Sequence, residues 1–449
     1  MNDLASIVKA YDIRGVVPDQ LDEGVAEAIG AAFATVTVAG TILTVHDMRA
    51  SSAPLAAAFG RGAASQGANV LAAGLGSTDM LYYGSGDLGV PGAMITASHN
   101  PTQYNGIKLC RAGARPVGIE TGLKDIKDLA ERSALPAAIP GSVTHVDLLP
   151  GYADYVRKLV DISAIRPLTV AVDAGNGMAG HTVPKVFEGL PITLIPLYFE
   201  LDGTFPNHEA NPIEPANVRD LQRAVTEHRA DIGLAFDGDA DRCFVVDERG
   251  QIVSPSVLTA LIASRELVRE PGATIIHNLI TSRGVPEIIA ERGGVAVRTR
   301  VGHSFIKAEM ARTGAVFGGE HSGHFYFRDF WYADSGMLPA LHVLGALGEQ
   351  ELPLSRLLAE YSRYHGSGEL NSLVSDQAET TARVKQEFAG RPGVRTDELD
   401  GLTVSTRTWW FNLRPSNTEP LLRLNVEADT SETMAAVRDE VLGLVRGNA

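Results

Sequence analysis

Three aspartates alternate along one short stretch, Asp237, Asp239 and Asp241 in FDGDADRC, between the apolar runs IGLAF and CFVV. Carboxylates at that density repel one another unless a cation joins them, and hard oxygen donors suit Mg²⁺ or Ca²⁺. An EF-hand loop is the obvious rival, and Glu248 even falls at its twelfth position. The sixth position, however, holds Arg242 where the sharp turn needs glycine, and both flanks read as strands rather than helices. The pattern therefore favours Mg²⁺ over both Ca²⁺ and a merely solvated acidic turn.

A second stretch, ITASHNPTQYNGIKL from Ile95 to Leu109, leads an apolar run into Ser98, with His99 beside it and Lys108 further on. Pro101 can open a helix there, and the preceding N–H groups could face an anion. Read alone, the string is a capping turn. The chain has no G-x-S-x-G elbow, so Ser98 points to phosphoryl rather than acyl chemistry. GGEHSGHFYF sets Glu320, Ser322 and His324 at alternate positions, two hydroxyl-binding groups and a proton carrier. His321 and His324 lack the third ligand and the spacing of a zinc site. RPSNTEP puts Arg414 ahead of Ser416, Asn417 and Thr418 between two strands, a composition suited to cradling phosphate.

Two glycine-rich loops offer a competing reading. Gly84, Gly86 and Gly89 fit G-x-G-x-x-G without a clear strand before them. Gly175, Gly177 and Gly180 follow the strand-like TVAVDA, and Glu200 falls near the position of a ribose-binding acid, the signature of an NAD(P)-binding oxidoreductase. Nothing else in the chain suggests hydride transfer.

These loops need elements to hold them. Strand-like and helix-like runs alternate in three similar cycles: strands over 41–47 and 69–74 around a helix over 53–68; strands over 167–175, 192–200 and 231–237 with helices over 181–190 and 217–230; then strands over 273–279 and 295–300 with helices over 256–270 and 285–294. The tail changes character, with a helix over 380–390, strands over 402–408, 409–415 and 421–428, and a last helix for which Asp429 and Glu432 form a capping box. A Gly/Ser-rich linker over 364–372 precedes it. The predicted class is α/β: three similar α/β domains with mixed sheets, over 1–145, 146–250 and 251–366, and a smaller α+β domain over 367–449.

Length and charge set the limits. A chain of 449 residues exceeds one ordinary core. Its 39 Lys+Arg against 54 Asp+Glu give a net charge of −15, which disfavours nucleic acid but leaves room for a small phosphorylated ligand held by a local cation cluster. Cys110 and Cys243, the two cysteines, read as buried thiols in a reducing compartment. With no signal-like N-terminus and no apolar run near ~18 residues, the expectation is a cytoplasmic protein without membrane association.

Together and in this order, YDIRG, TASHNP, NGIK, DGDADR, GEHSGH and RPSNTEP resemble the α-D-phosphohexomutase family over essentially the whole chain. The resemblance implies four domains around a central cleft and a phosphoserine at Ser98. It implies Mg²⁺ held by Asp237, Asp239, Asp241 and a phosphate oxygen on Ser98. Arg14, His99, Lys108 and Arg242 would orient the reacting groups, with His303 of VGHSFIK and His324 close by; Lys108, His303 and His324 are the candidates for the proton step. Glu320 and Ser322 would hold sugar hydroxyls, and Arg414, Ser416, Asn417 and Thr418 the phosphate that is not reacting. The implied reaction interconverts hexose 1- and 6-phosphates through a hexose 1,6-bisphosphate, which also serves as activator. The loops look most like those of bacterial phosphomannomutases, including those accepting glucose phosphates, and less like those of phosphoglucosamine mutases. A monomer or weak homodimer acting on hexose phosphates is implied. Where some relatives carry a lysine this chain has Ile280, with Arg283 nearby as a substitute.

Overall fold

β-branched apolar runs spaced by amphipathic helices build one unit three times. The computed structural model describes residues 4–132, 136–160, 162–416 and 421–447. In the first unit β1 (Ile13–Val16) and α1 (Glu23–Thr37) precede β2 (Thr41–His46), α2 (Ser52–Ser65), β3 (Asn69–Leu75), α3 (Thr78–Leu88), β4 (Gly92–Ile95) and β5 (Tyr104–Arg111), followed by β6 (Arg115–Pro116), α4 (Leu123–Ala130) and the edge strand β7 (Val143–His145). β3, β2 and β4 run parallel, and β5 returns antiparallel to β4.

The second unit follows the same path: α5 (Leu149–Leu159), β8 (Leu168–Asp173), α6 (Ala179–Phe187), β9 (Ile192–Leu197), α7 (Arg219–His228), β10 (Ile232–Phe236), β11 (Cys243–Asp247) and β12 (Ile252–Val253). Here β9, β8 and β10 are parallel and β11 returns antiparallel. The third comprises α8 (Pro255–Arg269), β13 (Thr274–Asn278), α9 (Gly284–Glu291), β14 (Val295–Thr299), α10 (His303–Thr313), β15 (Phe317–Gly319), β16 (Phe325–Phe327), β17 (Ala333–Asp334), α11 (Met337–Gly348) and the short α12 (Leu354–Leu357). β14, β13 and β15 are parallel, with β16 antiparallel to β15. In every unit the loop from the third parallel strand to its antiparallel return carries the chemistry-bearing motif. Such loops leave the carboxyl ends of the strands, where open α/β sheets bind ligands.

The last unit is different: β18 (His365–Leu373), α13 (Gln377–Ala389), β19 (Arg395–Asp397), β20 (Leu402–Ser405), β21 (Trp409–Pro415), β22 (Leu421–Ala428) and α14 (Ser431–Arg446). Its antiparallel sheet has the order β18-β22-β21-β20-β19 and encloses its own core around Phe388, Phe411 and Val441. One continuous apolar cluster instead runs through the first three units, from Leu43 and Met94 through Val170 and Val172 to Leu341 and Phe325. α11, buried along its whole length, is its central rod.

Three local expectations are corrected. The Gly/Ser-rich stretch read as a linker over 364–372 forms β18, because its backbone pairs with β22 and Gly366–Glu369 absorbs a register shift. The last helix is capped by Thr430, whose side chain accepts from Thr433 N; Asp429 is held back by its own N–H to the Thr408 carbonyl. No helix starts at Pro101: the chain turns and enters β5 at Tyr104. Both cysteines are buried free thiols.

The start of α3 ties three units together. Ser77 caps the helix, Thr78 donates to Asp239 Oδ2 of the second unit at 2.5 Å, and Asp79 Oδ2 accepts from Tyr152 of α5 at 2.6 Å and from Ser335 of the third unit at 2.7 Å. Burial pushes the Asp79 carboxyl up to about 6 against these hydrogen bonds. Because this lies above the unfolded value, its contribution to stability is full below about pH 4 and lost as pH rises through 6, on the order of 3 kcal/mol. Asp79→Asn keeps the shape and removes the ionisation. The variant's melting temperature relative to wild type, measured by calorimetry, is expected to improve by about 1–2 °C between pH 5 and pH 8; a difference independent of pH contradicts this reading.

Candidate active site

Ser98 sits at the β4–β5 turn, buried, with a left-handed backbone (φ 52°). Its hydroxyl donates to Asp237 Oδ2 at 3.0 Å and lies 3.2 Å from His99 Nδ1. Arg242 donates to that same Nδ1 at 2.6 Å, so the ring accepts there. Burial, then Arg242 and Arg14, hold His99 well below the ordinary histidine range, which keeps it neutral. Arg14 reaches in from β1, the neighbour of β5, donating to Asp12 Oδ2 and Asn100 Oδ1 at 2.7 Å each.

The aspartate loop joins β10 to β11, as its strand-like flanks predicted. All three carboxylates are buried, with oxygens within 4.8 Å of one another. Asp237 accepts from Arg242 N at 3.1 Å and Nε at 2.8 Å. Lys108 of β5 bridges Asp239 and Asp241 at 2.7 and 2.6 Å. Burial pushes Asp237 up to about 7; Arg242 opposes this and Asp241 and Asp239 add to it. For Asp241 burial acts the same way, but Lys108, His324 and Arg242 overcome it and hold the carboxyl well below its usual range. Lys108 is raised, its two aspartates outweighing burial. Asp239 Oδ1 and Asp241 Oδ1 are buried without a hydrogen-bond partner. Asp239 Oδ1, and Asp241 Oδ1 whose nearest donor is His324 Nε2 at 3.5 Å, lie beside a third carboxylate and fit a hard divalent cation.

The third unit closes the site. His324, just before β16, places Nε2 3.5 Å from Asp241 Oδ1 and Nδ1 3.0 Å from Ser322 Oγ. Burial lowers its pKa, but Asp241, Asp334 and Glu320 raise it further. Glu320 is occupied on both oxygens, accepting from Gly302 N at 3.1 Å and from Tyr326 Oη at 2.8 Å. Gly323 permits this approach: at φ 85° a Cβ would lie 2.6 Å from the Phe244 ring of β11. A cavity of 130 Å³ is lined by Arg14, Ser98, Lys108, Arg242, Lys307 and His324.

Arg414, Ser416 and His321 lie apart. His303 opens α10, and its side chain is outside the described residues, as are Asn417 and Thr418. Arg414, at the end of β21, pairs with Glu369 at 2.6 Å, and Ser416 N donates to the Leu421 carbonyl at 2.8 Å. His321 lines a second cavity, of 290 Å³, between the third and fourth units, together with Ile280, Ser254, Ser256 and Asn425. Arg283, near Ile280, donates its backbone N–H to Glu427 and one guanidinium nitrogen to the Arg407 carbonyl.

The dinucleotide reading fails on geometry. Gly177 turns against the aspartate loop, where a Cβ would lie 2.7 Å from the Gly238 carbonyl oxygen, and Met178 N donates to that oxygen at 2.9 Å. The space a pyrophosphate needs is filled. Gly84 and Gly86 lie inside α3, and Gly89 caps it.

Four residues that sequence reasoning passed over join the site. Thr78 holds Asp239, Asn100 holds Arg14, and Lys307 pairs with Asp334 at 2.6 Å in the cleft wall. Asn100 stands inside TASHNP and Lys307 inside VGHSFIK, so their motifs were a signal; Thr78 and Asp334 carried none.

Comparison with known proteins agrees with this geometry. The chain matches the alpha/beta/alpha domains I, II and III of phosphoglucomutase/phosphomannomutase over residues 5–135, 150–250 and 254–364, and the C-terminal domain over 369–444. It is 40% identical to a phosphomannomutase of Escherichia coli over 98% of each chain, and 39% identical to a phosphohexose mutase of Xanthomonas campestris pv. campestris over 98% of this chain and 99% of that one. The crystal structure of a phosphoglucomutase/phosphomannomutase family protein from Burkholderia thailandensis superposes with a TM-score of 0.88 at 31% identity, covering 99% of this chain and 98% of that one. Three α/β units with mixed sheets, a distinct fourth unit and the loops that meet between them make this chain a member of the α-D-phosphohexomutases, the phosphoglucomutase/phosphomannomutase family.

Proposed function

We propose that the chain is a phosphomannomutase, interconverting mannose 6-phosphate and mannose 1-phosphate and accepting glucose phosphates as well. The observation that carries the reading is the Ser98 hydroxyl, buried 3.0 Å from Asp237 among Arg14, Lys108 and Arg242. His99 Nδ1, 3.2 Å from the hydroxyl, is taken by Arg242 at 2.6 Å rather than left to act as a base, whereas three cations around one hydroxyl suit a phosphoryl group.

In this reading phospho-Ser98 gives its group to the free hydroxyl of a bound hexose monophosphate. The Ser98 O–P bond breaks, the sugar O–P bond forms, and the hydroxyl proton leaves. The resulting 1,6-bisphosphate turns over, and its other phosphoryl returns to Ser98, so the same bisphosphate can charge the enzyme. Lys108, held protonated by two aspartates, acts as a cation rather than a base. His324, between Asp241 and Ser322, is the group suited to exchange the hydroxyl proton, with His303 the alternative. Arg14, His99 and Arg242 orient the reacting phosphoryl. Glu320 and Ser322 hold ring hydroxyls. Arg414, Ser416, Asn417 and Thr418 hold the second phosphate.

Asp237, Asp239 and Asp241, with a phosphate oxygen on Ser98, would hold Mg²⁺, which when bound offsets charge on the transferring oxygens. Among the described residues no helix is long and apolar enough to cross a membrane. A cytoplasmic enzyme, monomeric or weakly dimeric, supplying mannose 1-phosphate for GDP-mannose goes with this reading.

With a hexose 1,6-bisphosphate present, kcat/KM is expected to be measurable for both mannose 1-phosphate and glucose 1-phosphate, and absence of turnover on both contradicts the proposal. Ser98→Ala is expected to lower kcat at least about 1000-fold with an unchanged melting temperature; near wild-type turnover would remove Ser98 from the mechanism. Dialysis against EDTA should abolish activity and Mg²⁺ restore it, and full activity after exhaustive chelation would rule the metal out.

A further inference from the structure

Arg49 lies between β2 and α2, 3% exposed, and lines neither of the cavities described above. Its guanidinium spends every terminal nitrogen on carbonyls of one loop. Nη2 donates to Ser98 O at 3.0 Å and Asn100 O at 2.6 Å, and Nη1 to Pro101 O and Tyr104 O at 3.0 Å each. Four carbonyl dipoles pointing at one centre repel one another. A planar cation with forked donors satisfies them together, which a lysine ammonium with three donors cannot do.

The cation is itself framed. Asp47 Oδ2 lies 3.3 Å from its Nε, and Asp47 Oδ1 accepts from Arg49 N at 3.0 Å and from Ser52 Oγ at 2.5 Å. Asn105 Nδ2 donates to that serine at 2.9 Å. From the second unit the Phe205 ring covers the guanidinium at 5.0 Å, and Gly203 comes so close that a Cβ there would lie 2.7 Å from Arg49 Cα. The clamp is thus closed by the same unit that supplies the aspartates.

We propose that Arg49 is a positioning residue for phosphoryl transfer: it holds the left-handed backbone of Ser98 so that the hydroxyl returns to one place whenever it gives up or takes back a phosphoryl group. The inference rests on the reading of Ser98 as the phosphoryl carrier. Left-handed backbone at a non-glycine residue is disfavoured, and without the cation the four converging carbonyls would push the loop away from this conformation even though Ser98, Asn100 and Tyr104 keep other hydrogen bonds. A displacement of about 1 Å at a reacting atom costs on the order of 100-fold in rate.

The test is Arg49→Lys, which keeps the charge and loses the fork. Expected is a fall in kcat of about 100-fold, with KM for mannose 1-phosphate within about threefold. The rate at which hexose 1,6-bisphosphate phosphorylates Ser98, followed by intact mass, should fall by the same factor. Both are measured well below the variant's melting temperature. Wild-type kcat and phosphorylation rate in Arg49→Lys overturn the proposal, as does a loss appearing only in KM. Should Arg49→Lys fail to fold, Ser52→Ala loosens the frame through Asp47, and a kcat loss of about 3–10-fold with unchanged KM is expected; unchanged kcat overturns the proposal. Wild-type enzyme that never takes up phosphate at Ser98 would instead sink the underlying reading, an outcome visible before any variant is made.

Discussion

Three carboxylates buried with oxygens within 4.8 Å of one another cannot stay charged in an apolar interior unless cations reach them. In this fold the cations come from elsewhere. Arg242 belongs to the same loop, but Lys108 comes from β5 of the first unit and His324 from the third. The second unit alone would leave Asp239 and Asp241 unpaired. The charge problem of one loop thus becomes a reason for three units to assemble. Thr78 and Asp79 repeat the logic at the start of α3, one reaching the aspartate loop and the other reaching α5 and Ser335.

The repeated topology explains how the charges find one another. Each unit places its motif at the turn from the third parallel strand to an antiparallel return, so three similar sheets facing a common centre present three different loops to it. The shared core through Leu43, Val172 and Leu341 fixes those loops relative to one another. The fourth unit has a separate core and meets the third across a cavity lined by polar groups such as Ser254 and Asn425.

Much of this was legible in the sequence because the chemistry is contiguous. DGDADR and TASHNP each carry their reacting groups within a few residues, and period and composition placed strands on both sides of the aspartate loop. What was hidden depends on separation along the chain. Thr78 and Asp239 lie 161 residues apart, and neither type nor spacing marks the threonine. Neither type nor spacing marks Arg49, on which four carbonyls from residues 98–104 converge. The Gly/Ser content of residues 364–372 suggested a linker, yet edge pairing with β22 made a strand, because backbone hydrogen bonds do not depend on side chains. In GNGMAG, Gly177 is needed because the aspartate loop approaches it and Gly180 because Phe199 does, not because a nucleotide binds there.

The central claim is that a phosphoryl group passes through Ser98 in each turnover, held among charges from three units. Rapid-quench measurement of a single turnover tests this most directly, using enzyme carrying a radiolabelled phosphoryl on Ser98 and unlabelled mannose 1-phosphate. The account predicts that label leaves the protein at least as fast as kcat and appears first in the hexose 1,6-bisphosphate, then in free monophosphate. Label that remains on Ser98 while product accumulates would contradict it.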